Sequence, residues 1–283
     1  MGRPLGSKNR TMVEKLARIV PAVVDIRTDA EIIIDVTEAF SIAKRMVFAA
    51  CEGIVTSVIM TGAPGVGKSF CVEQVLEAHK LKNPDARCKV IHGNLLAMDL
   101  YHQASQYANK GDVLVIDDCD GIFDNIIALN ILKALLDTSE HRVVSWLSNH
   151  VRVTSGDIPS EFIYNGSIIF LSNINMQYAI DNKMANHEHL MALRDRAICL
   201  DLSLHTRREI ALWVGEVVRT NRILQGMGLT EQNEIDAIAW LNDNRDRLAA
   251  LSIRTAKQIG TFMLMGMETW MADARHTLLR KGV

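Results

Sequence analysis

Gly62-Ala63-Pro64-Gly65-Val66-Gly67-Lys68-Ser69 satisfies G-x-x-x-x-G-K-[ST] at every fixed position, and the segments on either side decide how it folds. Ahead of it, Ile54-Val55-Thr56-Ser57-Val58-Ile59-Met60 is a short β-branched run suited to a buried strand, while residues 70 to 79 have helical composition. Strand, glycine loop and helix in that order is the context a phosphate-binding loop requires. The glycines let backbone amides turn inward toward phosphate oxygens, and the first helical turn adds unpaired N–H groups and a positive dipole end. The expected nucleotide-binding set is therefore Gly62, Ala63, Pro64, Gly65, Val66, Gly67, Lys68 and Ser69, with Phe70 from the helix start. Lys68 is expected to reach the β- and γ-phosphates of ATP, and the Ser69 hydroxyl to ligate the Mg²⁺ that bridges them.

A second signal lies downstream. Val113-Leu114-Val115-Ile116-Asp117-Asp118 is four apolar residues followed by two carboxylates, the form of a Walker B strand with a buried body and an acidic end. Asp117 is expected to hold Mg²⁺, directly or through water, and Asp118 to act as general base or water-orienting group. Ser167-Ile168-Ile169-Phe170-Leu171-Ser172-Asn173 reads as another buried strand, ending in an amide. Asn173 either orients the attacking water or starts a turn.

Composition sets the outer limits. With 283 residues, 48% of them hydrophobic, the chain can bury a sizeable core in one large domain or two modest ones. A net charge of −2 excludes a global basic field, so any contact with nucleic acid must come from a local patch. The five cysteines are scattered, without a C-x-x-C pair or zinc-like histidine spacing, as expected of reduced thiols in a cytoplasmic protein. No apolar run approaches the roughly 18 residues of a membrane span.

Met1 to Arg10 carries three basic residues, Arg3, Lys8 and Arg10, with two glycines, a proline and no acid, and is expected to be a mobile arm. Gly2-Arg3-Pro4 followed by Gly6-Ser7-Lys8-Asn9 resembles an AT-hook, which lays arginines in the narrow minor groove of A·T-rich DNA. The basic residue that usually precedes that core is absent, and a solubilising tail is the other reading. Residues 23 to 26 are either part of an adenine pocket or packing at the sheet edge. Further helices are expected over residues 37 to 51, 95 to 108 and 125 to 137, with strands at 88 to 92 and 143 to 147 and a loop from 148 to 166.

The order of phosphate loop, apolar-Asp-Asp strand and apolar-Ser-Asn strand resembles the AAA+ ATPase family, of the compact kind associated with phages or plasmids, over about residues 35 to 270. The resemblance implies an α/β core of parallel strands flanked by helices, followed by a small helical lid. It implies further roles: Asn173 as sensor 1, and Arg196, or alternatively Arg194, as an arginine finger offered to a neighbouring subunit's nucleotide. It also implies Arg254 as sensor 2 on the γ-phosphate and Asn94 as a polar switch that restrains the catalytic carboxylate. The family usually has Glu after the metal-binding Asp. Asp118 is one methylene shorter, which either slows turnover by leaving the base far from its water or is compensated by the local backbone.

The expected organisation is an arm at residues 1 to 12, an α/β nucleotide-binding domain at 13 to 204, and a helical lid at 205 to 283. The lid's Trp213, Trp240 and Trp270 are expected to pack its core. A finger supplied in trans implies a homo-oligomer, a hexameric ring or a filament. Two functional classes follow: an ATPase acting on DNA through the arm and ring lumen, as a replication, loading or transposition-type factor, or a remodeller or regulatory switch acting on another polypeptide. No aromatic-hydrophobic-Gly pore loop stands in residues 95 to 108, which counts against the second.

Overall fold

Residues 26–146 and 156–281 are described in the computed structural model of the chain. The expected arm and most of the candidate adenine segment lie outside them. In order, the elements are α1 (Asp29–Cys51), β1 (Ser57–Thr61), α2 (Lys68–Lys82), β2 (Cys88–His92), α3 (Ala97–Gln106) and β3 (Val113–Asp117), then α4 (Ile126–Leu135). There follow β4 (Val143–Ser145), β5 (Glu161–Ile163), β6 (Ser167–Ser172), α5 (Met176–Asp181), α6 (His187–Arg196) and β7 (Ile198–Asp201). Four helices close the chain: α7 (Arg207–Thr220), α8 (Glu231–Asp243), α9 (Ile253–Met265) and α10 (Trp270–Leu278). By internal contacts the described residues form two units, 43–61 with 71–146 and 156–201, and 26–42 with 62–70 and 202–281. α1 and α2 each contribute residues to both.

The first unit is built on a five-stranded sheet in the order β2-β3-β6-β1-β7, with parallel pairings throughout. Ile59 stands opposite Phe170 on one side and Cys199 on the other, and Val115 opposite Ile169. β1, β3 and β6 are interior strands with every residue buried, which is why they read as continuous apolar runs. Leu114, Ile116, Phe123, Leu129, Leu132, Ile168 and Phe170 share one core, each side chain contributing about 1.5–3 kcal/mol by leaving water. Asn125 caps α4 by accepting from the amides of Ile127 and Ala128. The buried Arg142 donates to the carbonyls of Leu135 and Gly166 at 2.9 and 2.6 Å, satisfying the far end of that helix.

The expected loop from 148 to 166 is corrected at its end. β5 pairs antiparallel with β4 as a separate two-stranded sheet, Val144 opposite Phe162. The ring of Tyr101 packs edge-on against Phe162 at 5.1 Å, so three residues suffice to hold a strand there.

In the second unit, α7, α8 and α9 begin at Thr206, Thr230 and Ser252, whose hydroxyls accept the third amide of each helix. Thr206 and Glu209 complete a reciprocal capping box. Glu209 is 4% exposed and also takes the amide of His205 and the guanidinium of Arg27. Val214, Val218, Trp240, Leu241, Ile259, Met263 and Trp270 form the core of this bundle, with Trp240 and Trp270 edge to face at 6.2 Å. Among the described residues no helix is long and apolar enough to cross a membrane.

Candidate functional site

The glycine loop, Gly62 to Ser69, belongs to the second unit. Gly65 and Gly67 have φ of +81° and +102°, a backbone region that L side chains avoid. A Cβ on Gly65 would lie 2.5 Å from Ser252 Cβ, and one on Gly62 would lie 2.9 Å from the Leu202 carbonyl oxygen. Glycine is therefore demanded twice, by conformation and by space. Lys68, only 5% exposed, donates from Nζ to the carbonyls of Gly62 and Ala63 at 2.6 and 3.0 Å. Its ammonium is held across the loop mouth by the loop's own backbone.

The segments after residue 202 hold the loop from behind. The indole N–H of Trp213 on α7 donates to the Val66 carbonyl at 2.7 Å, and the amide of Ile253 donates to the Gly65 carbonyl at 3.3 Å. Phe40 of α1 stacks on Trp213 with ring centroids 4.4 Å apart. Arg254, expected as sensor 2, occupies the first turn of α9 and is exposed.

The carboxylates belong to the first unit. At the carboxyl edge of the sheet Asp117 stands opposite His92 and Leu171, and Thr61 opposite Ser172 and Asp201. Asp117 is 2% exposed, with His92 Nδ1 3.3 Å from its Oδ2. Asp118 turns outward at φ +53°, exposed, and its Oδ1 accepts the Asn173 side-chain amide at 2.7 Å. The Asn173 backbone amide is held in turn by Asp120 Oδ2 at 3.0 Å. Cys119 lies among these acids, and burial followed by the charges of Asp117, Asp120 and Asp118 pushes its thiol up to about 11.

Of the expected catalytic residues, Asp118 and Asn173 are brought into direct contact. Asn94 is exposed beyond the end of β2, and among the described residues it makes no hydrogen bond to Asp118. Arg194 and Arg196 both lie on α6. Arg194 is exposed, whereas Arg196 donates to the Ala192 carbonyl at 2.9 Å and sits 3.7 Å from Asp137. His92 and Asp120, beside the carboxylates, and Trp213 and Ser252, beside the loop, are neighbours that sequence reading misses. Asp120 had a visible signal, being a third acid within four residues of Asp117, but the other three become neighbours only through the fold. Among the described residues no cluster of three or more metal-ligating side chains occurs.

No family model matches the chain. It is 30% identical over 236 residues to an uncharacterized 36.7 kDa protein from the nrdC-mobD intergenic region of Enterobacteria phage T4, covering 83% of this chain and 72% of that one. Among solved structures, it is similar to NtrX from Brucella abortus in complex with ATP, at 13% identity and a TM-score of 0.47, over 90% of this chain. That match spans 56% of the NtrX chain, little more than half its length. It is also similar to C. elegans PCH-2 at 15% identity and a TM-score of 0.35, covering 94% of this chain and 71% of that one. Rhizobiales Trip13 matches at 11% identity with a TM-score of 0.41, over 92% of this chain and 97% of that one.

Proposed function

The chain belongs to the family of the 36.7 kDa protein of Enterobacteria phage T4, and we propose that it is a Mg²⁺-dependent ATPase of the AAA+ type, working in an assembly of identical subunits. The observation that carries this reading is the glycine loop itself, whose positive-φ glycines, buried Lys68 and strand-loop-helix context suit the cradling of a phosphate. In this reading the loop amides and Lys68 hold the triphosphate, while Ser69 and Asp117 hold the magnesium. The bound metal supplies charge neutralisation for phosphoryl transfer to water. Asp118 takes the water's proton, and Asn173, bonded to Asp118, holds that carboxylate in one orientation.

Arg196 or Arg194 acts as a finger on the neighbouring subunit's nucleotide, Arg254 as sensor 2, and residues 205 to 283 as the lid. The ties of Arg196 to Ala192 and Asp137 would have to open for it to reach outward, whereas Arg194 is already exposed. Asn94 acts as the switch only if it displaces Asn173 as the partner of Asp118. DNA is the proposed substrate, through the basic residues Arg3, Lys8 and Arg10, and a phage relative suits a site of action in a host cytoplasm.

The test is phosphate release by wild type, Lys68→Ala, Arg196→Ala, Arg194→Ala and their mixtures, with and without duplex DNA. The true finger variant keeps ATP binding but loses about 10³-fold or more in turnover, and regains activity when mixed with Lys68→Ala. Turnover that ignores DNA, with no duplex binding, moves the reading to a polypeptide substrate. No turnover in wild type removes the ATPase.

A further inference from the structure

We infer that Trp213 is a positioning residue of the phosphate loop, whose indole N–H turns the loop's amides toward the triphosphate; the inference rests on the nucleotide reading above. In a planar trans peptide the C=O and N–H point in opposite directions. The described chain has no cis peptide bond. The Val66 carbonyl is fixed by Trp213 Nε1 at 2.7 Å, so the Gly67 N–H of that same peptide points away from the indole. The Gly65 carbonyl is fixed by the Ile253 amide at 3.3 Å, so the Val66 N–H points away from the start of α9. Two successive loop amides are thereby aimed by groups that lie 147 and 188 residues farther along the chain.

The indole is itself held. Trp213 is 8% exposed, stacked on Phe40 at 4.4 Å and carried on a helix whose start is locked by the Thr206–Glu209 capping box. A loop with three glycines has wide conformational freedom when left alone, and narrowing that freedom before the ligand arrives raises affinity. Val66, buried with its carbonyl on the indole, is the point where the restraint is applied. Anion binding to the Gly67 N–H polarises the peptide and strengthens the indole bond, so occupancy of the loop is felt on α7.

Calorimetric titration of the full chain with Mg·ATP and with inorganic tripolyphosphate tests this. Trp213→Phe keeps a ring against Phe40 and removes the donor together with part of the ring volume, a volume loss that the control below shares. Both ligands should then bind about 3- to 10-fold more weakly, the effect of one neutral hydrogen bond. Trp240→Phe is the matched control, since its Nε1 is buried without a hydrogen-bond partner among the described residues, and it should leave both affinities within about twofold. Equal affinities in wild type and Trp213→Phe overturn the inference, as does equal weakening by both substitutions, or a loss for ATP with none for tripolyphosphate. Should Trp213→Phe fail to fold, the indole ¹⁵N–¹H signal of Trp213 in wild type, assigned by exclusion with Phe variants of the other tryptophans, decides. It should move downfield on adding tripolyphosphate, and an unmoved signal overturns the proposal. A wild-type chain that binds neither ligand removes the nucleotide reading itself.

Discussion

Asn173 donates its side-chain amide to Asp118 Oδ1 at 2.7 Å, joining the end of β6 to the residue just past β3. The bond holds the carboxylate in one orientation, and Asp120 holds Asn173 by its backbone amide. If Asp118 is the general base, as proposed, Asn173→Ala should slow hydrolysis by about 10- to 100-fold while leaving ATP affinity nearly unchanged, because one orienting contact of that base is lost. Parallel measurement of phosphate release and equilibrium binding separates the two effects. Unchanged turnover would mean that the amide has no part in the chemistry.

Asp118 pairs this role with an unusual backbone, at φ +53°. Asn tolerates that region and β-branched residues do not. Asp118→Asn should melt close to wild type and accumulate bound ATP, whereas Asp118→Val should lose about 1–3 kcal/mol of stability as well. Thermal melts of the two variants check the difference, and equal melting temperatures would show that the backbone can relax.

The glycine loop was legible through its motif, and the three interior strands because their burial on both faces leaves continuous apolar runs, as in Val113 to Asp117 and Ser167 to Ser172. The helix over residues 125 to 137 was legible through its apolar spacing, whereas the caps at Asn125, Thr206, Thr230 and Ser252 emerge from the structure. β5 and β7 were not, being three and four residues long with mostly exposed positions that carry no period. The polar stretch of α6, from His187 to Arg196, hides its two buried residues, Leu190 and Leu193. Within the candidate site, Asp118 and Asn173 could be picked out singly, but nothing in their 55-residue separation announces their bond. The same holds for Trp213, which reads as bundle packing and holds a loop carbonyl.

Gly65→Ala should reduce nucleotide affinity by more than about 10-fold, since its methyl would meet Ser252 at 2.5 Å on a backbone of φ +81°. Adding Ser252→Gly removes the clash but not the backbone strain, so affinity should return only in part. A double-mutant cycle measures this, and independent, additive effects would show that the two positions do not touch.

The thiols of Cys88 and Cys51 are hydrogen-bonded to each other, and that bond, with the charge of Lys80, draws Cys88 down to about 7. Burial raises Cys71 and Cys119 to about 11. Below pH 7 Cys88 is mostly thiol and above it mostly thiolate, so its alkylation rate should be half-maximal near pH 7. Peptide mapping after brief iodoacetamide exposure should find Cys88 modified first. Earlier modification of Cys119 would contradict the charge arrangement at the end of β3.

Calorimetric titration of Mg·ATP into wild type and Lys68→Ala tests the central claim, that the Gly62 to Ser69 loop is a nucleotide site. Lys68 donates to the carbonyls of Gly62 and Ala63 in its own loop, and on the proposed reading its ammonium serves the phosphates and not the core, so the variant should melt within a few degrees of wild type. Wild type should bind ATP, and Lys68→Ala should lose at least about 10-fold, as expected when a charged hydrogen bond to phosphate is removed. Equal binding by both proteins, or none by a folded wild type, would contradict the account.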